Sequence, residues 1–302
     1  MKFSILTATY NRAKYLPKLY KSIVDNIDED YEIEWLIMDD GSTDDTEKVC
    51  KSFVNEKNLV VKYYKQENQG KMQAINNLAK YVSGELWIEC DSDDYFVKNA
   101  LKIIAKKSTM LQENKNLYAL VFLKNENTSK LSGNKFPFED KETAMFDLYF
   151  KHGVIGEKII VFNSEIRKKY QYIIEPGEKF CTEARMYHQI DLKYNVRCYN
   201  QVVIEGEYQS DGYTKNIKKI FLESPKGHYE YFKEIFEHDM KGVSIKKRAY
   251  AIKHLILFSN IVNRNIDINN IKGNLNKFII LLAWFPGKIK SKKYIKEFEY
   301  EK

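Results

Sequence analysis

The stretch Gly84-Glu-Leu-Trp-Ile-Glu-Cys-Asp-Ser-Asp-Asp-Tyr95 decides how the rest of the chain is read. Leu86, Trp87 and Ile88 form a short apolar run between a glycine and a cluster of acids. That is the pattern of a buried strand ending at Asp91-Ser92-Asp93-Asp94. Three carboxylates within four residues repel one another unless positive charge lies between them. A hard divalent cation carrying a substrate phosphate is a natural partner for such a group. The ordinary alternatives are a solvated acidic turn, or an Asp that caps a helix beginning near Lys98.

Upstream, the same grammar repeats. Phe3 to Ala8 reads as an apolar strand that stops at Thr7-Ala8-Thr9-Tyr10-Asn11-Arg12, and Leu16, Leu19, Tyr20 and Ile23 follow at helical spacing. Ile33 to Met38 predicts a second strand, ending in Asp39-Asp40-Gly41-Ser42-Thr43-Asp44-Asp45. Ser42 or Thr43 can cap the next helix, which makes Asp44 and Asp45 first-turn acids and leaves Asp39 and Asp40 without that explanation. Leu59 to Tyr64 predicts a third strand, followed by Asn68-Gln69-Gly70-Lys71 and a helix bearing Ala74, Ile75, Leu78, Ala79 and Val82. Ala100, Leu101, Ile104 and Ala105 mark another helix, and Tyr118 to Leu123 a fifth strand. Alternating strands and helices imply an α/β fold with a mostly parallel sheet, whose strand ends gather Tyr10, Asp40, Lys71 and the Asp91–Asp94 cluster on one edge. Tyr10 has an ordinary reading as one of many surface tyrosines. Lys71 has one as a solvated lysine, although a cation at a helix N-terminus opposes the dipole and favours a bound anion.

Charge and cysteine usage narrow the class. The formal net charge is +7, yet residues 241–302 hold 14 Lys or Arg against 4 Asp or Glu, so the rest of the chain is slightly acidic. A basic tail suggests an anionic surface as partner. No zinc-finger or RNP-type motif accompanies it, which argues against nucleic acid. Cys50, Cys90, Cys181 and Cys198 form no C-x-x-C pair, and no signal peptide is evident; reduced thiols and a cytoplasmic location are expected.

The four segments Thr7-Ala-Thr-Tyr-Asn-Arg, Asp39-Asp-Gly-Ser-Thr-Asp-Asp, Asn68-Gln-Gly-Lys and Asp91-Ser-Asp-Asp, in this order and spacing, resemble family 2 glycosyltransferases with the GT-A fold. The match covers roughly the first 125 residues. The resemblance implies a nucleotide-sugar donor, usually a UDP-sugar, and an inverting transfer. It places Thr9 and Tyr10 at the base, Asp40 on uracil and Lys71 near the nucleotide. Asp91 and Asp93 would form the D-x-D motif, Asp91 toward the ribose and Asp93 toward Mn2+ or Mg2+.

The second half is less regular. Residues 126–141 read as a polar surface excursion, 143–150 as a short aromatic helix and Lys158 to Phe162 as a strand. Asn163-Ser164 caps a helix running to about Tyr170, and Ala184 to Tyr194 forms another. The family carries a general base near that point, commonly within Glu-Asp, where this chain has Thr182-Glu183. Glu183 is the favoured base, and Asp191, two turns along the same helix, is the competing candidate. Val202 to Tyr208 predicts a last strand, followed by a loop in which Asp211 and Tyr213 are minor candidates for substrate contacts. Two long helices, Ile217 to Glu237 and Ile245 to Asn260, come next. The histidines show no ligand spacing. The apolar run Phe278 to Phe285, too short to span a bilayer, precedes Lys288, Lys290, Lys292 and Lys293. This segment either docks on the core or lies on an anionic membrane.

These expectations combine into a GT-A domain over 1–215, with a nucleotide-sugar half (1–125) and an acceptor half (126–215), and a helical extension over 216–302. The expected activity is transfer of a sugar from a nucleotide-sugar donor to a hydroxyl of a glycan or lipid-linked acceptor, with peripheral membrane contact through the basic C-terminus. Two other readings compete. A sugar nucleotidyltransferase would need a Gly-rich, Arg-containing N-terminal loop, which is missing. A catalytically silent nucleotide-sugar-binding or membrane-scaffold protein would bind UDP without turnover.

Overall fold

A computed structural model describes residues 1–126, 130–206, 217–284 and 287. In chain order the strands and helices are β1 (Lys2–Thr9), α1 (Leu16–Val24), β2 (Glu32–Asp39), α2 (Thr46–Ser52), β3 (Leu59–Lys65), α3 (Lys71–Leu78), β4 (Leu86–Glu89), β5 (Asp94–Phe96), α4 (Ala100–Glu113) and β6 (Leu117–Glu126). They continue as β7 (Lys130–Leu131), β8 (Lys141–Thr143), α5 (Met145–Phe150), β9 (Lys158–Asn163), α6 (Ser164–Arg167), α7 (Ala184–Ile190), β10 (Asn195–Gly206), α8 (Ile217–Glu223), α9 (Pro225–Glu234) and α10 (Ile245–Ile261). Two compact units emerge: Met1–Tyr172 with Gln189–Gly212, and Ile173–His188 with Tyr213–Lys302. Ile173–His188, and with it Glu183, groups with the C-terminal helices.

The first unit is built on one sheet of order β3-β2-β1-β4-β9-β6-β10-β5, with β7 added to β6 and β8 to β10. β3, β2, β1 and β4 run parallel, in a register that puts Thr9 opposite Asp39 and Leu6 opposite Glu89. β1 and β2 are buried on both faces, which is why they read as near-continuous apolar runs. The α/β expectation is met, with a mixed second half. β9 enters antiparallel between β4 and β6, and β5 pairs antiparallel with β10. An apolar run carries no direction, so this insertion was invisible to periodicity.

Several local expectations change. β10 starts at Asn195 rather than Val202, and its register with β6 shifts around Cys198–Val202, where Asn200 leaves the ladder. The Asn200 side chain accepts from Phe136 N and donates to the carbonyls of Phe136 and Phe138. The segment after β6 is therefore packed rather than a free excursion, with Ser132 and Phe136 buried. The predicted cap by Ser42 or Thr43 is also replaced. α2 starts at Thr46, the Ser42 hydroxyl accepts from Asn11 N at 2.9 Å, and Asp44 accepts from the amides of Ala13 and Thr46. These groups stitch the loop after β1 to the loop after β2. Asn163 does cap α6 as expected, accepting from the amides of Glu165 and Ile166, but α6 ends at Arg167.

In the second unit the single helix expected over Ile217 to Glu237 breaks at Ser224-Pro225. Proline there lacks a donor for a continuing helix but suits the first turn of a new one. The Glu178 carboxylate accepts from the amides of Lys226 and Gly227 and so caps α9. Ile252, Leu255 and Ile256 of α10 are buried, as their spacing predicts, but Ala249, expected on the same face, is exposed and Ala251 is buried instead. Burial pushes His228 down to about 4, so this residue is a neutral packing group.

Glu34 shows what the parallel core demands of a polar residue. It is fully buried in β2, yet its carboxylate accepts from the Ser4 hydroxyl, from the Ser83 amide and hydroxyl and from the Gly84 amide, with Lys2 and Lys62 nearby. Gly84 is needed at this close approach, since a Cβ would meet the Lys2 carbonyl at 2.7 Å. Burial opposes the charge, but the bonds from Ser4 and Ser83 outweigh it and hold Glu34 below the usual carboxylate range. A lowered folded-state pKa stabilises above the unfolded value and loses that contribution as pH falls through the folded one. Urea unfolding from pH 7 to 3 should therefore show a smaller acid-induced loss in Glu34→Gln than in the wild type, with the variant less stable at pH 7 by about 1–3 kcal/mol. Parallel pH curves for the two proteins would refute this.

Candidate active site

The parallel strands deliver their last residues to one edge of the sheet. β1 ends at Thr9 and Tyr10, β2 at Asp39 and Asp40, and β4 at the acidic turn, while α3 opens with Lys71 beside them. Tyr10 is 47% exposed, an aromatic ring offered at the strand end. Thr9 is buried, and its hydroxyl finds no hydrogen-bond partner among the described residues. The Thr9 carbonyl accepts from Asp40 N at 2.8 Å and so ties the two strand ends together.

The two acids of the pair have different tasks. Asp39, fully buried, accepts from Ser42 N at 2.7 Å and from the Tyr63 hydroxyl at 2.8 Å. Asp40 accepts from Gln66 Nε2, Gln69 N and Gly70 N, each at 2.8 Å, and its carbonyl accepts from Asn68 Nδ2. The Asn68-Gln69-Gly70 segment is thus folded onto Asp40, with Gly70 at φ +94°, a conformation that L side chains rarely adopt. A carboxylate can accept about four hydrogen bonds, so Asp40 retains capacity for a further donor such as an imide N–H.

The acidic turn is closed by Asp94 N donating to the Asp91 carbonyl at 3.0 Å, and β5 begins immediately after it. None of its carboxylates caps α4, whose N-cap residue is Asn99, so the capping alternative is not realised. The Asp91 carboxylate meets Lys71 Nζ at 2.7 Å. Burial works against ionisation of Asp91, but the ammonium groups of Lys71 and Lys124 prevail and hold it below its usual range. Asp94 is buried against Lys124 Nζ at 2.8 Å, a partner from β6 that sequence reasoning missed. Burial disfavours the Lys124 charge as well, yet Asp94 and Glu157 overcome it and keep the ammonium charged. Asp93 has no ion pair among the described residues, and burial together with Asp91 pushes its pKa up.

Two carboxylates on one turn suit a divalent cation that takes its remaining ligands from substrate phosphates and water. No group of three or more His, Cys, Asp or Glu that could hold a metal occurs among the described residues.

The family model described as Glycosyl transferase family 2 matches residues 4–170. The chain belongs to glycosyl transferase family 2. One relative, an uncharacterized glycosyltransferase of Mycoplasma genitalium, is 40% identical over 109 residues, which are 35% of this chain and 37% of that protein. The poly(ribitol-phosphate) beta-N-acetylglucosaminyltransferase TarS of Staphylococcus aureus is 35% identical over 102 residues, 34% of this chain and 18% of TarS. The matches thus span well under two thirds of these relatives. A longer match, 27% over 251 residues, covers 80% of this chain and 75% of the GalNAc(5)-diNAcBac-PP-undecaprenol beta-1,3-glucosyltransferase of Campylobacter jejuni. Among solved structures, TarS residues 1–349 in complex with UDP-GlcNAc align at TM-score 0.60 and 15% identity over 98% of this chain and 92% of that one. The fold is that of this family's GT-A enzymes.

The two candidate bases differ in their surroundings. Glu183, in the second unit, is half-buried at the start of α7, and Tyr187 donates its hydroxyl to Oε2 at 3.3 Å. Asp191, in the first unit, accepts from the amides of Met145 and Phe146 and from the Tyr118 hydroxyl, which makes it a tertiary cap for α5. Asp211 and Tyr213 lie outside the described residues. Asp191→Ala removes the α5 cap and should lower unfolding stability by about 0.5–2 kcal/mol. Chemical denaturation measures it, and an unchanged midpoint would show that the cap contributes nothing.

Proposed function

We propose that this protein is an inverting glycosyltransferase that moves a sugar from a UDP-sugar to a hydroxyl of a glycan or lipid-linked acceptor. The observation that carries the reading is the acidic turn at the strand edge. Its Asp91 is charged beside Lys71, its Asp93 has no ion pair among the described residues, and exposed Tyr10 and hydrogen-bonded Asp40 lie at the neighbouring strand ends. In this reading Tyr10 stacks on the base, Asp40 uses its remaining acceptor capacity on the uracil imide, and the buried Thr9 hydroxyl gains a partner. Asp91 faces the ribose, and Asp93 holds Mn2+ or Mg2+. Such an ion, when bound, neutralises charge on the departing diphosphate. Lys71 adds a second positive charge on the same side. Glu183 takes the proton of the acceptor hydroxyl as its oxygen bonds to the anomeric carbon and the carbon–phosphate-oxygen bond breaks. The solved complex of TarS with UDP-GlcNAc, and that of the mannosyltransferase PcManGT from Pyrobaculum calidifontis with GDP-Man and Mn2+ at TM-score 0.51, support a nucleotide-sugar and a metal as the first ligands to test.

A panel of UDP-sugars, with Mn2+ or Mg2+ and release of nucleoside diphosphate as readout, tests the reading. Asp93→Ala should abolish metal-dependent turnover, and Asp40→Ala should weaken donor binding by about 1–3 kcal/mol. Glu183→Gln should lower transfer by about 10²- to 10⁴-fold with UDP affinity retained. Undiminished turnover in Asp93→Ala sinks the D-x-D role. Loss of transfer in Asp191→Asn but not in Glu183→Gln moves the base to Asp191. Binding of UDP without turnover for any donor would favour the silent nucleotide-sugar-binding protein.

We also propose that the protein works in the cytoplasm at an anionic membrane face. No helix among the described residues is long and apolar enough to cross a membrane. Residues 274–284 are helical, however, with Leu275, Phe278, Leu281 and Leu282 exposed, and the lysines from Lys288 to Lys293 follow them in the sequence. Deleting residues 275–302 should release the protein from vesicles containing phosphatidylglycerol. Equal cosedimentation with and without this segment would end the proposal.

A further inference from the structure

The acidic turn carries a third carboxylate for which the donor-site reading has no task. Asp94 is only 6% exposed, and its Oδ2 lies 2.8 Å from Nζ of Lys124, itself 7% exposed. The same Nζ donates to Glu157 Oε2 at 2.7 Å, just ahead of β9. The backbone closes tightly around this pair. Asp94 lies opposite Gly206 of β10, where a Cβ would come within 2.4 Å of Asp94 Oδ1 and 2.7 Å of Lys124 Cε. Ser132 N donates to the Lys124 carbonyl at 2.9 Å, and the Ser132 hydroxyl accepts from Glu157 N at 3.0 Å. Two carboxylates, from the acidic turn and from the approach to β9, therefore meet one ammonium group, while β10 and the segment after β7 close around the Lys124 backbone and stem.

A buried ion pair is a poor device for stability alone, because apolar residues of similar volume do as well or better. Its value here lies in what it does to its neighbours. Asp94 is adjacent to Asp93 and three residues from Asp91, so holding its side chain in place also holds the turn that carries both. We propose that Lys124 is a positioning residue for the donor site. By holding Asp94 it fixes the turn in the form that presents Asp91 and Asp93. Lys124 touches neither donor nor acceptor in this account. The inference rests on the D-x-D reading above and adds the requirement that metal affinity depend on a lysine that is not a ligand.

The test is a double-mutant cycle of Lys124→Met and Asp94→Asn, with Lys124→Arg and Asp93→Asn alongside. Mn2+ affinity in the presence of UDP is read from the electron paramagnetic resonance signal of free Mn2+, and the thermal midpoint is recorded without metal. Lys124→Met should weaken Mn2+ binding about tenfold or more at temperatures where the chain is folded, and Lys124→Arg should recover part of the loss. The double variant should bind no worse than the weaker single variant, because both changes break one contact. Wild-type Mn2+ affinity in folded Lys124→Met, or single losses that multiply in the double variant, overturns the proposal. A purely structural pair would move the thermal midpoint and leave Mn2+ affinity alone, which also overturns it. Should Lys124→Met fail to fold, Asp94→Asn carries the test, and wild-type affinity in that variant is the refuting result. If Asp93→Asn binds Mn2+ like the wild type, the D-x-D reading fails and takes this inference with it. Loss in Asp93→Asn with normal binding in the Lys124 and Asp94 variants refutes this inference alone.

Discussion

Five carboxylates crowd the ends of β2 and β4: Asp39, Asp40, Asp91, Asp93 and Asp94. Like charges a few ångströms apart repel by about 1 kcal/mol in water and by several times that in the lower effective dielectric of a protein edge. The edge exists because four of the five are answered internally. Asp39 has Tyr63 and the Ser42 amide, and Asp40 has Gln66 and the amides of Gln69 and Gly70. Asp91 has Lys71, and Asp94 has Lys124. Asp93 has no ion pair among the described residues, and burial together with Asp91 raises its pKa.

The same bonds shape the loops. The segment between β3 and α3 wraps the Asp40 carboxylate, and this places Lys71 at the start of α3 within reach of Asp91. Asn11, at φ +53°, accepts from the Thr43 amide while Ser42 accepts from its own, so the β1 and β2 loops hold one another. Charge satisfaction and backbone geometry are therefore one constraint at this edge. In the second unit, buried Arg185 plays the comparable part, paired with Glu175 at 3.1 Å and Glu234 at 2.9 Å, while Glu178 caps α9.

Much of this was legible from the chain. The parallel strands and the four helices that alternate with them follow from apolar runs punctuated by Gly, Asp and Asn, since strands buried on both faces leave few polar interruptions. The four motifs that resemble the family are contiguous, so short windows suffice to find them. The capping of α2 was misread because Ser42 and Thr43 are good cap residues by type, yet their groups are taken by Asn11 from another loop. The break at Ser224-Pro225 was readable but overridden by the apolar spacing on either side.

By itself, then, the sequence determined the α/β class, the parallel first half of the sheet, family membership and the identity of the acidic turn, all of which are written in local spacing. Only the tertiary structure decided which carboxylate is answered by which cation. Lys124 lies 30 residues from Asp94 on a strand that is not β4's neighbour, because β9 runs antiparallel between them. Asp191 likewise became a cap for α5 through a contact 45 residues away. Such pairings depend on strand order and direction, which the alternation of polar and apolar residues does not encode.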